Sequence, residues 1–408
     1  MDYDKRSRYL LAKIRKARGS LSHIATRDSD AMRRFPVSPD GRGPLFGPHA
    51  KDPSRWVGKF VSPWQRDLIV ILNSKMSRRL GNKSQVITLH PNSHIRDRQD
   101  HCYSAAALAL EIAEILGLNA ELAYAGMVIH DGGHVPGGHP GETFISERKG
   151  WDGVNHLKFK HNIMGVILAQ MIERGGKGLN LTRQVLDIIL NHSSGIGKAV
   201  VDSEMMPESA GGVKSDKIDY TFADINDILV REPLAAQGFT AKRYAHILEA
   251  ARWFGRDQRE RVFTCVAYLC EESAEKGFIS FDDSDAADRF EKLKTMMYED
   301  IYLKLDRRML RLKMEIVYEA LEKALVDVDP AIVFAMLDDV EHEELAKMAD
   351  RHELITEQTL NRFSVGEVIK HLRGKEIDLT DPDLDWARVD RAQEPASTEV
   401  SAGRGEES

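Results

Sequence analysis

A chain of 408 residues with 42% hydrophobic and 30% charged side chains can bury a large core, which excludes both a disordered protein and a minimal module. The formal net charge of −7 argues against wholesale coating of nucleic acid, which rests on summed phosphate neutralisation. Three cysteines, Cys102, Cys265 and Cys270, give no disulfide framework, and no apolar run reaches the ~18 residues that span a bilayer, so a soluble, cytoplasmic protein is expected.

Met1 to Arg18 mixes Lys5, Arg6, Arg8, Lys13 and Lys16 with Tyr9, Leu10, Leu11 and Ile14, which predicts a short basic amphipathic helix. Docking on its own domain or on a neighbouring subunit would occupy it; an anionic partner is the alternative. Glycine and proline then impose a loop from Pro36 to Pro53. Order resumes at Trp56. Arg98 stands three residues ahead of His101, about one helical turn, where its guanidinium can fork onto a phosphate in the same cavity.

Beyond His101, Ala105, Leu108, Ile112 and Ile115 recur at helical steps and Gly117 closes the pattern. A second helix is expected from about Ala120 through Val128 and Ile129 to His130-Asp131, where Gly132-Gly133 and Pro136-Gly137-Gly138 break it. The tight turn between them forces antiparallel packing, so His101 is expected beside His130 and Asp131. Two imidazoles and a carboxylate suit manganese, iron, zinc or magnesium, but a fourth ligand is wanting.

Residues 146 to 158 read as an irregular insertion. His161-Asn162 then opens a helix, and Thr182 caps another that ends near His192, a residue that fits either a structural or a minor functional role. Ser194 to Gly212 reads as loop, and Asp216 as the start of a helix carrying Asp216, Tyr220, Asp224 and Asp227 on one stripe. Thr240 to Asp378 is expected to be helical, with Leu293, Met296, Met297, Ile301 and Leu303 and then Met309, Leu312, Ile316, Leu321 and Leu325 inward. Pro330 should open a helix, and Asp381 to Ser408 should be disordered.

Six ordered stretches together resemble the HD-domain phosphohydrolases, and within them the dGTPase-like deoxynucleoside triphosphate triphosphohydrolases. They are His101, His130-Asp131, the continuation to Glu142, Phe159 to Asn162, Gly178 to Thr182, and Asp216 to Tyr220 followed by Asp224. The resemblance implies an all-α fold with an HD core at 56–235, after an N-terminal extension (1–55) and before helical additions (236–380) and an acidic tail (381–408). It implies a divalent metal on His101, His130, Asp131 and Asp216; a cation facing the acidic stripe would also relieve the repulsion along it.

By the same resemblance His134, His139, Glu142 and His161 serve catalysis. His139 would protonate the leaving 5′-oxygen, His134 would steady the β- and γ-phosphates with Lys217, and the attacking water would be either metal-bound or held by His161 with Glu142. Gln85, Arg98, Lys217, Tyr220 and Asp224 would bind substrate, with Tyr220 packed under a ribose that lacks its 2′-hydroxyl. The family usually has a second Asp-Arg pair after Arg66-Asp67; here Leu68-Ile69 stands instead. Its late nucleotide-pocket motif has only a faint counterpart, Val365 to Leu379. The implied partners are a dNTP substrate, a dNTP activator and further copies of the chain. A different HD phosphohydrolase activity, or a non-catalytic dNTP sensor, is the alternative.

Overall fold

The computed structural model describes residues 3–33, 62–151, 158–193 and 205–381. Among the described residues every regular element is helical, and only two isolated bridges, Arg33 with Thr182 and Ser84 with Asp97, have strand pairing. The fold class is therefore the expected one. The Pro36 to Pro53 stretch and residues 382–408 lie outside the described residues. No helix is long and apolar enough to cross a membrane among those described.

Helix α1 (Tyr3–Ala17) precedes α2 (Pro63–Leu72) and α3 (Lys75–Leu80), then the long α4 (Arg98–Leu116) and α5 (Ala120–Met127). Asp97 caps α4 by accepting from Asp100 N, and Asn119 caps α5 by accepting from Leu122 N, so only two residues separate one helix end from the next cap. The pair folds back as expected, except that α5 ends at Met127 and His130-Asp131 stand on the turns that follow it.

Three more helices close around that hairpin: α6 (His139–Arg148), α7 (His161–Ile167) and α8 (Arg183–Asn191), the last capped by Thr182 as predicted. The chain is helical to Arg148, so the irregular stretch is shorter than expected, and residues 152–157 are outside those described. Gly133 is required by close approach: a Cβ there would stand 2.1 Å from His161 O and 2.2 Å from Gly165 N. The loop after His130-Asp131 thus lies directly on α7, which brings the two histidine segments together.

Helix α9 (Pro207–Asp224) runs along α4 and is itself covered by the later helix at Gln258–Lys276. It begins nine residues before Asp216, which corrects the loop expected up to Gly212. A Cβ on Gly212 would meet Met127 Sδ at 2.7 Å, so this glycine lets α9 press against α5.

Helices α10 (Ala245–Arg252), α11 (Gln258–Lys276), α12 (Asp285–Met296), α13 (Arg308–Ala324), α14 (Pro330–Met336), α15 (Asp339–Asp350) and α16 (Gly366–Leu372) continue the helical run expected. Cys265 and Cys270 pack as small buried residues in α11. Helix α1 docks on its own fold: Arg6 donates to Trp253 O at 2.6 Å and Phe254 O at 2.8 Å, and Lys13 and Lys16 pair with Glu271 and Glu275.

The inward face of α13 agrees only in part with the expected one: Leu321, and Leu325 just past the helix, are buried as expected. Met314, Val317, Tyr318 and Leu321 are buried, while Met309 and Leu312 are 65% and 47% exposed. Both sets have helical spacing, and packing on α14 and α15 selects the first. Leu303, also expected inward, is exposed.

Candidate active site

The hairpin of α4 and α5, the turns after α5 and the middle of α9 converge on one buried cluster. Asp216 Oδ1 lies 3.0 Å from His101 Nε2 and 3.6 Å from His130 Nε2. Asp131 Oδ1 is 3.5 Å from His130 Nε2, and its Oδ2 is 3.9 Å from His101 Nε2. The structure thus brings His101, His130, Asp131 and Asp216 together.

Each ring is held by its far nitrogen. His101 Nδ1 meets Asp219 Oδ2 at 2.8 Å, and Asp219 also takes the Ser104 hydroxyl. His130 Nδ1 donates to Met127 O at 2.7 Å, which leaves Nε2 as a lone pair, and that buried atom has no hydrogen-bond partner. An orphaned imidazole nitrogen facing two carboxylates is a donor set suited to a borderline divalent cation.

The charges follow from these contacts. Burial opposes a charged His101, but Asp216 and Asp219 outweigh it and lift its pKa to about 9. Burial also disfavours the Asp131 carboxylate, yet His130, His134 and Arg98 hold its pKa well below the usual range. Asp216 is held low against the same penalty by Lys217 and the two rings, and Lys217 Nζ donates to Asp216 Oδ2 at 2.8 Å.

A second tier of side chains stands beside this cluster. The His134 ring stacks on His161 with centroids 3.8 Å apart, and His139 lies 5.1 Å and 5.6 Å from those two rings. Glu142 Oε1 is 2.9 Å from His161 Nδ1 and 3.3 Å from His134 Nδ1. Burial, with Arg98 and His161 adding repulsion, holds His134 well below its ordinary pKa. His139 opens onto the cavity, but desolvation by its walls lowers its pKa too.

His101, Asp131, Asp216, His134, His139 and His161 line one cavity of about 960 Å³, which Gln85, Arg98, Lys217, Tyr220 and Asp224 also line. Every substrate-binding residue expected from the sequence therefore faces the same space. Arg98 differs in one respect: its guanidinium pairs with Asp131 and donates to Ser84 O at 3.1 Å and Gln85 O at 3.3 Å. Gln85 keeps a buried Oε1 with no partner.

The acidic stripe on α9 is answered by Arg96, which donates to Asp219 at 2.9 Å and lies 3.9 Å from Asp224 and 3.8 Å from Asp227. Burial raises Asp224 to about 6 against the pull of Arg96.

Several residues of the site escape sequence reasoning. Tyr302 donates to Asp224 Oδ2 at 2.6 Å, and Tyr298, Tyr302 and Arg307 form the late wall of the cavity. That wall corrects the assignment to Val365 to Leu379, none of which lines the cavity. His192 is fully buried within the cluster, its Nε2 3.4 Å from Asp131 Oδ1, and burial lowers its pKa to about 4. The sequence leaves His192 open between a structural and a minor functional role, and the packing of α8 places it in the cluster.

Residues 98–224 match the HD domain family model. A deoxyguanosinetriphosphate triphosphohydrolase-like protein of Desulfatibacillum aliphaticivorans is 31% identical over 279 residues, covering 64% of this chain and 74% of that one. The chain belongs to the deoxyguanosinetriphosphate triphosphohydrolase-like family. Members from Clostridium tetani and Caldanaerobacter subterraneus are each 31% identical, over 57% and 59% of this chain. The chain spans just under two thirds of those two relatives, 64% and 65% of their lengths. This family member is an HD-domain phosphohydrolase with a buried His/Asp cluster typical of an HD metal site.

In this family member a residue far outside the HD match completes the geometry. Asp339, the first residue of α15, accepts from Ser84 N at 2.6 Å with one oxygen and from Gly137 N at 2.7 Å with the other. It thereby ties the turn bearing Gln85 to the loop bearing His134 and His139, and Lys83 reinforces the tie by donating to His134 O. Asp339→Asn keeps the volume but leaves only one oxygen to accept. Turnover should fall roughly 10- to 100-fold, the cost of an ångström-scale misplacement. Parent-like steady-state rates would show that the tie does not set the geometry.

Proposed function

We propose that this protein hydrolyses deoxynucleoside triphosphates to deoxynucleoside and tripolyphosphate. The observation that carries the reading is the single cavity in which a His/Asp cluster, phosphate-seeking cations and a tyrosine-floored polar pocket meet. His101, His130, Asp131 and Asp216 would hold manganese, iron, zinc or magnesium. When bound, that cation would neutralise charge developing on the α-phosphoryl group.

The chain's own groups have complementary tasks. Arg98 and Lys217 would exchange their present carboxylate partners for phosphate oxygens, and His134 would steady the outer phosphates. Glu142, fixed on His161 at 2.9 Å, would orient the attacking water. His139 would protonate the departing 5′-oxygen. Because desolvation keeps its ring neutral in the free protein, its proton must come with the polyanionic substrate, whose charge stabilises the imidazolium.

Sugar selection falls to Gln85, Tyr220 and Asp224, joined by Tyr302. The unpaired Gln85 Oε1 can accept from a 3′-hydroxyl, and Tyr220 beneath the ribose would exclude a 2′-hydroxyl. A dNTP activator between copies of the chain and a cytoplasmic place of action belong to the same proposal.

The test is to incubate the purified protein with each dNTP and rNTP and a manganese or magnesium salt, and to separate products by anion exchange. Deoxynucleoside with equimolar tripolyphosphate is expected. Release of dNMP and pyrophosphate would overturn the leaving-group assignment, and binding without turnover of any nucleotide or mixture would favour a sensor.

A further inference from the structure

Arg96 stands behind the cavity wall rather than in it, yet it reaches a carboxylate from each half of the site. Its Nη1 donates to Asp219 Oδ2 at 2.9 Å, and the same oxygen meets His101 Nδ1 at 2.8 Å. Its Nη2 lies 3.9 Å from Asp224 Oδ1, while the other oxygen of Asp224 accepts from Tyr302 at 2.6 Å. Asp227 holds the backbone of the residue, accepting from Arg96 N at 3.2 Å. The hold on the guanidinium is uneven. Only the bond to Asp219 is made; Nε and Nη2 are buried without a hydrogen bond, 3.8 Å from Asp227 and 3.9 Å from Asp224. A guanidinium is a rigid planar fork, so closing the gap to Asp224 must move the N–H that holds Asp219.

We propose that Arg96 is a positioning residue that couples sugar recognition to the metal cluster, which rests on the reading that Asp224 receives the sugar and His101 helps to hold a divalent cation. Asp224 faces unlike partners with its two oxygens, Tyr302 on one and Arg96 on the other. A 3′-hydroxyl shared between Gln85 Oε1 and Asp224 draws on the carboxylate's charge and weakens its pull on the guanidinium, which then stays on Asp219. Asp219 in turn fixes the His101 ring, with the Ser104 hydroxyl as its further donor. An outer partner of this kind is worth ~10- to 100-fold in metal affinity. Sugar and cation therefore bind more tightly together than apart, and by the same factor whichever binds first. Couplings between sites are typically ~5- to 150-fold, and one passed through a single guanidinium belongs at the low end.

A 2′-deoxynucleoside carries the sugar without the phosphates that would meet the cation directly, and its 2′,3′-dideoxy counterpart lacks only the 3′-hydroxyl. The full chain, stripped with a chelator, is titrated calorimetrically with Mn²⁺ alone, with saturating deoxynucleoside and with saturating dideoxynucleoside. In the parent the deoxynucleoside should tighten Mn²⁺ binding roughly 5- to 10-fold, and the dideoxynucleoside should leave it unchanged. Arg96→Lys, which keeps the charge and loses the fork, should bind both ligands and show no tightening; a merely structural arginine would cost stability and leave that ratio as it is. Asp224→Asn, which keeps the volume, serves if the lysine variant does not fold, and should lose the tightening too. Equal tightening by both nucleosides, none in the parent, or tightening that survives in either variant overturns the proposal alone. A parent that fails to bind either Mn²⁺ or the deoxynucleoside overturns the reading of the site along with it.

Discussion

Asp131→Ala is expected to abolish metal retention and, with it, turnover. Asp131 presents Oδ1 to His130, His161 and His192 and Oδ2 to Arg98 and His101, so no other carboxylate touches as many members of the cluster. Changing an outer partner of a metal ligand typically costs ~10- to 100-fold in affinity. Removing a charged ligand at the centre should cost more than that. Elemental analysis after exhaustive dialysis should find little metal in the variant where the parent stays loaded. Full occupancy would sink the assignment of Asp131 as a ligand.

The same substitution has a structural price that separates it from simpler losses in the cluster. Arg98 is almost fully buried, and without Asp131 its charge retains only two carbonyl partners. Breaking a buried pair from one side typically destabilises by ~3–5 kcal/mol. Asp131→Ala should therefore melt below the parent even in chelator, whereas His192→Ala removes no counter-charge and should not share that loss through Arg98.

The difference between Asp131 and His192 is also a difference in legibility. His101, His130 and Asp131 could be placed together from sequence because a short turn forces α4 and α5 antiparallel, a local constraint. Asp216 could be placed through the spacing of acids on one helix. His192 and Tyr302 reach the site only because α8 and the segment after α12 pack against it, and Asp339 does so across more than two hundred residues from Gly137. Nothing in the residues near them encodes those meetings.

Two misreadings have a similar origin. Met309, Leu312 and Ile316 keep helical spacing with the correctly placed Leu321, and so do the buried Met314, Val317 and Tyr318, so periodicity establishes the helix without fully choosing its buried side. The loop expected up to Gly212 gives way to helix from Pro207, with Met127 packed against Gly212. A glycine marks either a turn or a close approach, and only the neighbour decides.

His139→Ala is expected to separate chemistry from binding. His139 touches none of the groups that would hold the cation closely enough to ligate them, and it contributes no packing to the core, its ring being open to the cavity. Metal affinity should therefore stay near the parent's, and nucleotide affinity should fall only by what the captured proton contributes. A positioned general acid contributes roughly 100- to 10,000-fold, and that is the loss expected in kcat. The ring's neutrality before substrate arrives sharpens the test. A proton taken up with the triphosphate should appear as a buffer-dependent binding heat in the parent and be diminished in His139→Ala. Parent-like turnover in the variant would remove His139 from the leaving-group step. Lost turnover with an unchanged buffer dependence would keep it in the reaction while moving the captured proton to another group. His134 is the nearest ring to receive it, 5.1 Å away and likewise held neutral by burial.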